Sequence, residues 1–284
     1  MARRQDVEFL SSGAVLRGWL YMAAGEETPG IVMTHGLSAV KEMFLDEYAR
    51  AFAEAGFTTL VYDHFGFGAS DGEPRQSPSP NLQQQGYRDA VAWLSSRPTI
   101  DPNRIAIWGT SFSGGHVISL TTEDLPITAA VAQVPFLSKG APRPPAGMLT
   151  AFGERASDAQ ATVPATTETE DGVGAMFLDG AHDWFTSIAS KRAPAWRNEL
   201  LISGFLESAS WSPFEDLSRS NVPLLVIAAA NDTLTPPAAL FSDERTLPLV
   251  EVVLIPGNHF DAYEAGFDES SSAAIRFLKL HLQK

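Results

Sequence analysis

What the chain lacks narrows its chemistry first. It contains no cysteine, so disulfide cross-links, thiolate catalysis and cysteine-ligated metal are excluded together. Basic residues are sparse: Lys plus Arg number 20 against 34 for Asp plus Glu, a formal net charge of -14, and no dense basic cluster breaks that balance. Such a chain offers a polyanion no footprint, which argues against nucleic acid and membranes as partners. No apolar run approaches the ~20 residues of a membrane-spanning helix. The opening MARRQDVEFL has a basic pair, but Asp6 and Glu8 interrupt the apolar stretch a secretory signal needs. The expected location is the cytoplasm.

What is present concentrates in Arg104 to His116, RIAIWGTSFSGGH. The apolar run Ile105, Ala106, Ile107 and Trp108 stops at Gly109, and Phe112 to Thr122 has the length and glycine-loosened start of a helix packed behind it. Ser111 stands at the bend. A strand turning sharply into a helix with serine at the corner is a nucleophile elbow. The turn strains the serine backbone, so the residues two positions away on either side must be small enough for strand and helix to approach. Here they are Gly109 and Ser113, and the usual G-x-S-x-G ends in serine, followed by Gly114 and Gly115.

Two other glycine motifs fail on chemistry. Laid on Gly109 to His116, the phosphate-loop pattern G-x-x-x-x-G-K-[ST] puts Gly115 and His116 where the groups that hold phosphate and magnesium belong. The loop starting at Gly66 puts Asp71 at the sixth position of the dinucleotide fingerprint G-x-G-x-x-G, and turn residues follow instead of a helix. No cofactor and no metal are expected.

The 284 residues suffice for one large α/β domain with an insertion, or for two ordinary domains. Alternation of β runs and helical patterns favours the first. Val7 to Leu10 and Ala14 to Met22 read as a hairpin, Gly30 to Thr34 and Thr58 to Asp63 as buried strands, then the elbow strand, Ile127 to Val134, Pro223 to Ala230 and Val250 to Ile255. Helices are expected over Lys41 to Ala55, Asn81 to Arg97, from about Pro236, and over Glu269 to Leu282, while Pro98 to Asn103 reads as a turn. The expectation is an eight-stranded, mostly parallel sheet with helices on both faces, built from residues 1–138 and 212–284. Between the sixth and seventh strands the alternation lapses, and 139–211 is expected to form a cap or lid. Its Met176, Phe177, Trp184, Phe185, Trp196, Phe205 and Trp211 suit either a local core for the cap or the lining of an apolar pocket.

The serine's partners follow strands of their own. Asn231-Asp232 comes directly after Pro223 to Ala230, and Gly257-Asn258-His259 just after Val250 to Ile255. In a doubly wound sheet the carboxyl ends of parallel strands are where side chains enter the site, which favours Asp232 over Asp216, since Asp216 precedes its strand. A serine hydroxyl needs a base to take its proton, histidine can accept and return it, and a carboxylate fixes the imidazole tautomer. Ser111, Asp232 and His259 thus form the candidate triad. His116 is expected to pack or cap, and His64, His182 and His281 have no better claim.

Through His35-Gly36, the loop Asp63 to Gly72, the serine elbow, Asn231-Asp232 and Gly257-Asn258-His259, the chain resembles the α/β-hydrolase superfamily over nearly its whole length apart from the insertion. Lys41-Glu42-Met43 and Pro74-Arg75-Gln76 are similar to segments of hydrolases related to dienelactone hydrolases and polyketide-associated thioesterases. Dienelactone hydrolases use a cysteine where this chain has Ser111; haloalkane dehalogenases and epoxide hydrolases use an aspartate. The resemblance implies an oxyanion hole made by the N–H groups of Leu37 and Phe112, a supporting role for His35, and loop-holding roles for Asp63 and Asp71. It implies a serine hydrolase acting through an acyl-enzyme on a lipophilic small-molecule ester, thioester or lactone. Carbon–carbon bond hydrolysis, a lyase reaction and ligand binding on the same scaffold are the alternatives, and a homodimer stays open.

Overall fold

Four apolar stretches, Thr28–Thr34, Thr58–Tyr62, Ala129–Gln133 and Leu224–Ala229, are buried at every position. Continuous burial, in place of alternation, means that both faces of these strands are covered, as in the interior of a parallel sheet. The computed structural model describes residues 3–142, 144–155, 157–208, 211–241 and 247–283. In chain order the elements are β1 (Arg3–Ser11), β2 (Ala14–Met22), β3 (Thr28–Thr34), α1 (Leu45–Glu54), β4 (Thr58–Tyr62), α2 (Pro80–Ser95), β5 (Ile100–Thr110), α3 (Phe112–Leu120) and β6 (Ala129–Gln133). Then come α4 (Ala146–Arg155), β7 (Thr162–Val163), α5 (Ala181–Asp183), β8 (Leu200–Leu201), α6 (Ile202–Ser208) and α7 (Pro213–Asp216). The chain closes with β9 (Leu224–Ala229), α8 (Ala238–Phe241), β10 (Val250–Ile255) and α9 (Phe267–Leu282).

The main sheet has eight strands in the order β1-β2-β4-β3-β5-β6-β9-β10, and β7 and β8 form a separate two-stranded pair. Only β2 runs against its neighbours; the pairs from β4 across to β10 are parallel. Successive side chains of β5 alternate between two cores: Ala106 and Trp108 join Tyr48, Phe52 and Phe277 on the α1/α9 face, whereas Ile105 and Ile107 join Tyr87, Leu94 and Val117 on the α2/α3 face. The edge strand β1 begins with exposed Arg3, Arg4, Gln5 and Asp6, charges that discourage pairing with another chain. No helix among the described residues is long and apolar enough to cross a membrane.

The sheet is the expected one, with local corrections. The helix expected from Lys41 starts only at Leu45, because Asp63 captures the Lys41 amide at 2.8 Å and Phe44 takes a left-handed backbone, φ 65°. Pro98 to Asn103 is not all turn: Ile100 already pairs with Thr28, so β5 begins there. The helix expected from about Pro236 is described only over Ala238–Phe241, and 242–246 lie outside the described residues. Among the described residues of the segment between β6 and β9, Met148, Phe152, Trp184 and Phe185 belong to the same cluster as Tyr48 and Trp108.

Candidate active site

The serine corner is held from three strands. Ser111 has φ 56° and ψ -119°, outside the regions a side chain normally permits, and the surroundings enforce it. Its N–H donates to the Gln133 carbonyl at the end of β6 (2.8 Å), and its carbonyl accepts from Phe136 (2.9 Å) and Gly115 (3.2 Å). From β3, Gly36 lies so close that a Cβ there would stand 2.8 Å from Ser111 Cβ. At Gly109 a Cβ would meet the Ser113 carbonyl oxygen, which is why the elbow needs glycine two residues before the serine.

Three residues drawn from three strand ends form one hydrogen-bond chain. Ser111 Oγ is 3.1 Å from His259 Nε2, and His259 Nδ1 is 2.7 Å from Asp232 Oδ2. A carboxylate only accepts, so Nδ1 carries the proton and Nε2 is left bare to accept from the serine hydroxyl. Burial, the largest influence on the Asp232 carboxyl, pushes its pKa up, but the charge of His259 and hydrogen bonds from His259 and Thr235 outweigh it and hold the carboxyl below its ordinary range. Its other oxygen accepts from the amides of Leu234 (2.9 Å) and Thr235 (2.6 Å). Asp216 is not part of this chain. It accepts from Ser119 Oγ at 2.6 Å, eight residues along α3 from Ser111 and so about 12 Å away along the helix.

The two expected oxyanion donors flank the serine. Leu37, Ser111 and Phe112 line one pocket, and the N–H of Phe112, the first residue of α3, has no partner within its own helix. Under them sits a floor of three buried histidines. His35 donates Nδ1–H to its neighbour's Gly36 carbonyl (3.0 Å) and accepts the His64 amide at Nε2 (3.2 Å). Ser113 donates to the His35 carbonyl and accepts from His64 Nε2 (2.8 Å); His116 donates to Gln83 Oε1 (2.7 Å). Burial lowers the pKa of all three, far below the ordinary value for His64 and to about 3 for His116. They are neutral packing groups, as expected for His35, His64 and His116, and the hydroxyl of Ser113 does more than stay small: it ties α3 to the strand end that carries Leu37.

Asp63 and Asp71 hold the loop they were expected to hold. Asp63, fully buried, accepts from the amides of Lys41 (2.8 Å) and Ala69 (2.9 Å) and pairs with the Lys41 ammonium at 2.6 Å. Burial pulls the Lys41 pKa down, and Asp63 and Glu42 more than reverse it. Asp71 pairs with Arg17 at 2.5 Å. His182 faces Glu168 at 3.7 Å and His281 packs on Phe277, both away from the triad.

Two contributors have no forerunner in the sequence reading. Thr235 Oγ1 lies 2.8 Å from Asp232 Oδ2, 3.2 Å from His259 Nδ1 and 3.1 Å from the Val134 carbonyl; its signal is a threonine three residues after an aspartate, a turn signature. Asp179, from the segment between β6 and β9, accepts from the His259 amide (3.2 Å), the Thr233 amide (3.0 Å) and the Thr233 hydroxyl. Only the Asp179-Gly180 dipeptide marks it, and that says turn, not site.

Two pockets open at Ser111. One spans about 360 Å³ and the other about 690 Å³, each figure including space open to solvent. Met176, Trp184 and Phe185 line the first, Met176, Phe177 and Phe205 the second. Trp196 and Trp211 line neither: Trp196 packs on Phe185 and donates to the Ser38 carbonyl (2.8 Å), and Trp211 stacks on His116.

A family model described as X-Pro dipeptidyl-peptidase (S15 family) matches residues 16–261. A thiohydrolase of Eupenicillium brefeldianum is 32% identical, over 83% of this chain and 80% of its own. The quorum-quenching protein AidA of Acinetobacter baumannii is 29% identical over 96% and 94%. The crystal structure of the α/β hydrolase GrgF from a Penicillium species superposes with a TM-score of 0.80 at 27% identity, covering 99% of this chain and 100% of that one. With its sheet order, its serine corner and these matches, the chain belongs to the S15 family within the α/β-hydrolase superfamily.

Proposed function

We propose that the protein is a serine hydrolase that cleaves a carboxylic ester, thioester or lactone through an acyl-enzyme on Ser111. The observation that carries this is the unbroken chain from Ser111 Oγ through His259 to Asp232. Ser111 Oγ attacks the carbonyl carbon as its proton passes to His259 Nε2, and the negative oxygen is held by the amides of Leu37 and Phe112. His259 then protonates the leaving atom, the carbon–leaving-group bond breaks, and the acyl group stays on Ser111. Water attacks the ester, again losing its proton to His259, and the acid is released with the serine restored. Asp232 keeps Nδ1 protonated and stabilises the imidazolium.

Dipeptidyl-peptidase activity is not part of the proposal. A free peptide N-terminus is a cation, and no acidic side chain lines either pocket among the described residues; burying that ammonium unpaired would be costly. The thiohydrolase and quorum-quenching relatives support ester-like substrates in general. Segment 139–211 acts as the cap: it supplies Met176, Phe177, Trp184, Phe185 and Phe205 to the pockets.

A fluorophosphonate probe with a panel of esters, thioesters and lactones tests the reading. Ser111 should be labelled, and Ser111→Ala should lose both label and turnover. Labelling that persists in the mutant overturns the nucleophile assignment; labelling without turnover of any panel member favours a lyase, a carbon–carbon hydrolase or a binding protein.

A further inference from the structure

The division of the space around Ser111 carries more than the presence of a pocket. The smaller pocket is bounded by His259 with the rings of Trp184, Phe185, Phe260 and Tyr263. The larger is bounded by Phe112, Phe136, Phe177 and Phe205. Leu37, Ser111, Met176 and Leu234 line both and so stand between them. No Asp, Glu, Lys or Arg lines either one among the described residues.

The carbonyl attacked by Ser111 has two substituents, and each pocket has room for one. The leaving atom must receive its proton from His259 Nε2, so the leaving group lies in the pocket that His259 lines. The acyl group then takes the pocket beside Phe112, which His259 does not line. We propose that the substrate is an uncharged ester or thioester apolar on both sides, with a compact aromatic or branched leaving group against Trp184, Phe185 and Phe260 and a larger apolar acyl group against Phe136, Phe177 and Phe205. This rests on the Ser111 acyl-enzyme reading and deepens it. Phosphate-bearing leaving groups are disfavoured: that pocket has no cation to meet them, and a chain of net charge -14 repels them on approach.

The test uses four substrates, 4-nitrophenyl acetate, 4-nitrophenyl octanoate, choline octanoate and octanoyl-coenzyme A, with the acyl-enzyme on Ser111 followed by mass spectrometry. For the wild type, kcat/KM should favour 4-nitrophenyl octanoate over each of the others by about tenfold or more, a ratio within reach of apolar pocket contacts. Phe205→Ala should change the octanoate-to-acetate ratio and the rate at which the octanoyl-enzyme is hydrolysed. Trp184→Phe should change the nitrophenyl-to-choline ratio at fixed acyl group. Because Trp184 also supports the core, Ala39→Val narrows the same pocket and Ala175→Phe narrows the other, with the same two expectations. A crossed pattern, in which pocket-one variants alter acyl-enzyme hydrolysis and pocket-two variants alter leaving-group preference, overturns the assignment while leaving the nucleophile reading intact. Octanoyl-coenzyme A turned over as well as the nitrophenyl ester overturns the substrate class. Absence of any acyl-enzyme on Ser111 overturns the nucleophile reading and this assignment with it.

Discussion

The sheet and segment 139–211 both border the space at Ser111 and are built by different rules. On the sheet side, β3, β5, β6, β9 and β10 are set by ladders of backbone hydrogen bonds, and each site residue sits just past a strand end. On the other side the elements are short, down to the two-residue β7 and β8, and position comes from side chains gripping distant backbone. Asp179 holds the amides of His259 and Thr233, Trp196 holds the Ser38 carbonyl, and Arg192 pairs with Asp46 and Glu47 of α1 at 2.9 and 2.5 Å. Periodic structure fixes where chemistry can stand, and isolated ties fix how the second wall meets it.

The largest effect is expected on the sheet side. Asp232→Asn keeps the shape but removes the charge that sets the imidazole tautomer, so turnover should fall by up to ~10⁴-fold with little change in folding; Asp216→Asn, measured beside it, should be close to wild type. Nearly full activity in Asp232→Asn would place the acid elsewhere. Next comes stability: Lys41→Met leaves the buried Asp63 carboxylate unpaired and should cost about 3–5 kcal/mol in denaturant unfolding, with much of it regained by adding Asp63→Asn.

On the other wall, Asp179→Ala frees the His259 and Thr233 backbone and should lower kcat by roughly 10- to 100-fold, because a displacement of about 1 Å at reacting groups has that effect. Asp179→Asn retains an acceptor and should recover part of the loss; equal defects in both variants would point to a structural role alone. A further effect concerns pH. The folded pKa values of His35, His64 and His116 lie below the ordinary 6.5, so the unfolded chain binds more protons below that pH. Stability contributed by these neutral rings is complete above about pH 6.5 and declines as pH falls, by up to about 1.4 kcal/mol per pH unit for each ring. His116→Gln should make the decline shallower in thermal melts between pH 7 and pH 4.

The same division explains what the sequence disclosed. Ser111, Asp232 and His259 stood out as candidates because each follows an apolar run whose end faces the site, and Asp232 was preferred to Asp216 because it follows its strand whereas Asp216 precedes it. Gly109 was legible from steric need. Thr235 and Asp179 were not, since a hydroxyl or carboxylate that meets backbone 101 or 80 residues away leaves no period to read. Nor was the hydroxyl of Ser113, which looks like a mere substitute for glycine until the His35 carbonyl is seen beside it. The aromatic residues of 139–211 announced apolar surface, yet which of them would face the cavity depended on the backbone path.

The strained serine corner has a bearing on the order in which the molecule acquires its reactivity. Ser111 reaches φ 56° only because Gln133, Phe136 and Gly36 surround it, residues brought together by closing loops of about 22 to 75 positions. Assembling such distant pieces is a late event in folding. On the proposed reading, an incompletely folded chain therefore holds an ordinary alcohol where the native protein holds a nucleophile. Reactivity toward a serine-directed reagent is in this sense a reporter of tertiary assembly: on unfolding, it should vanish together with the sheet and leave no active remnant behind.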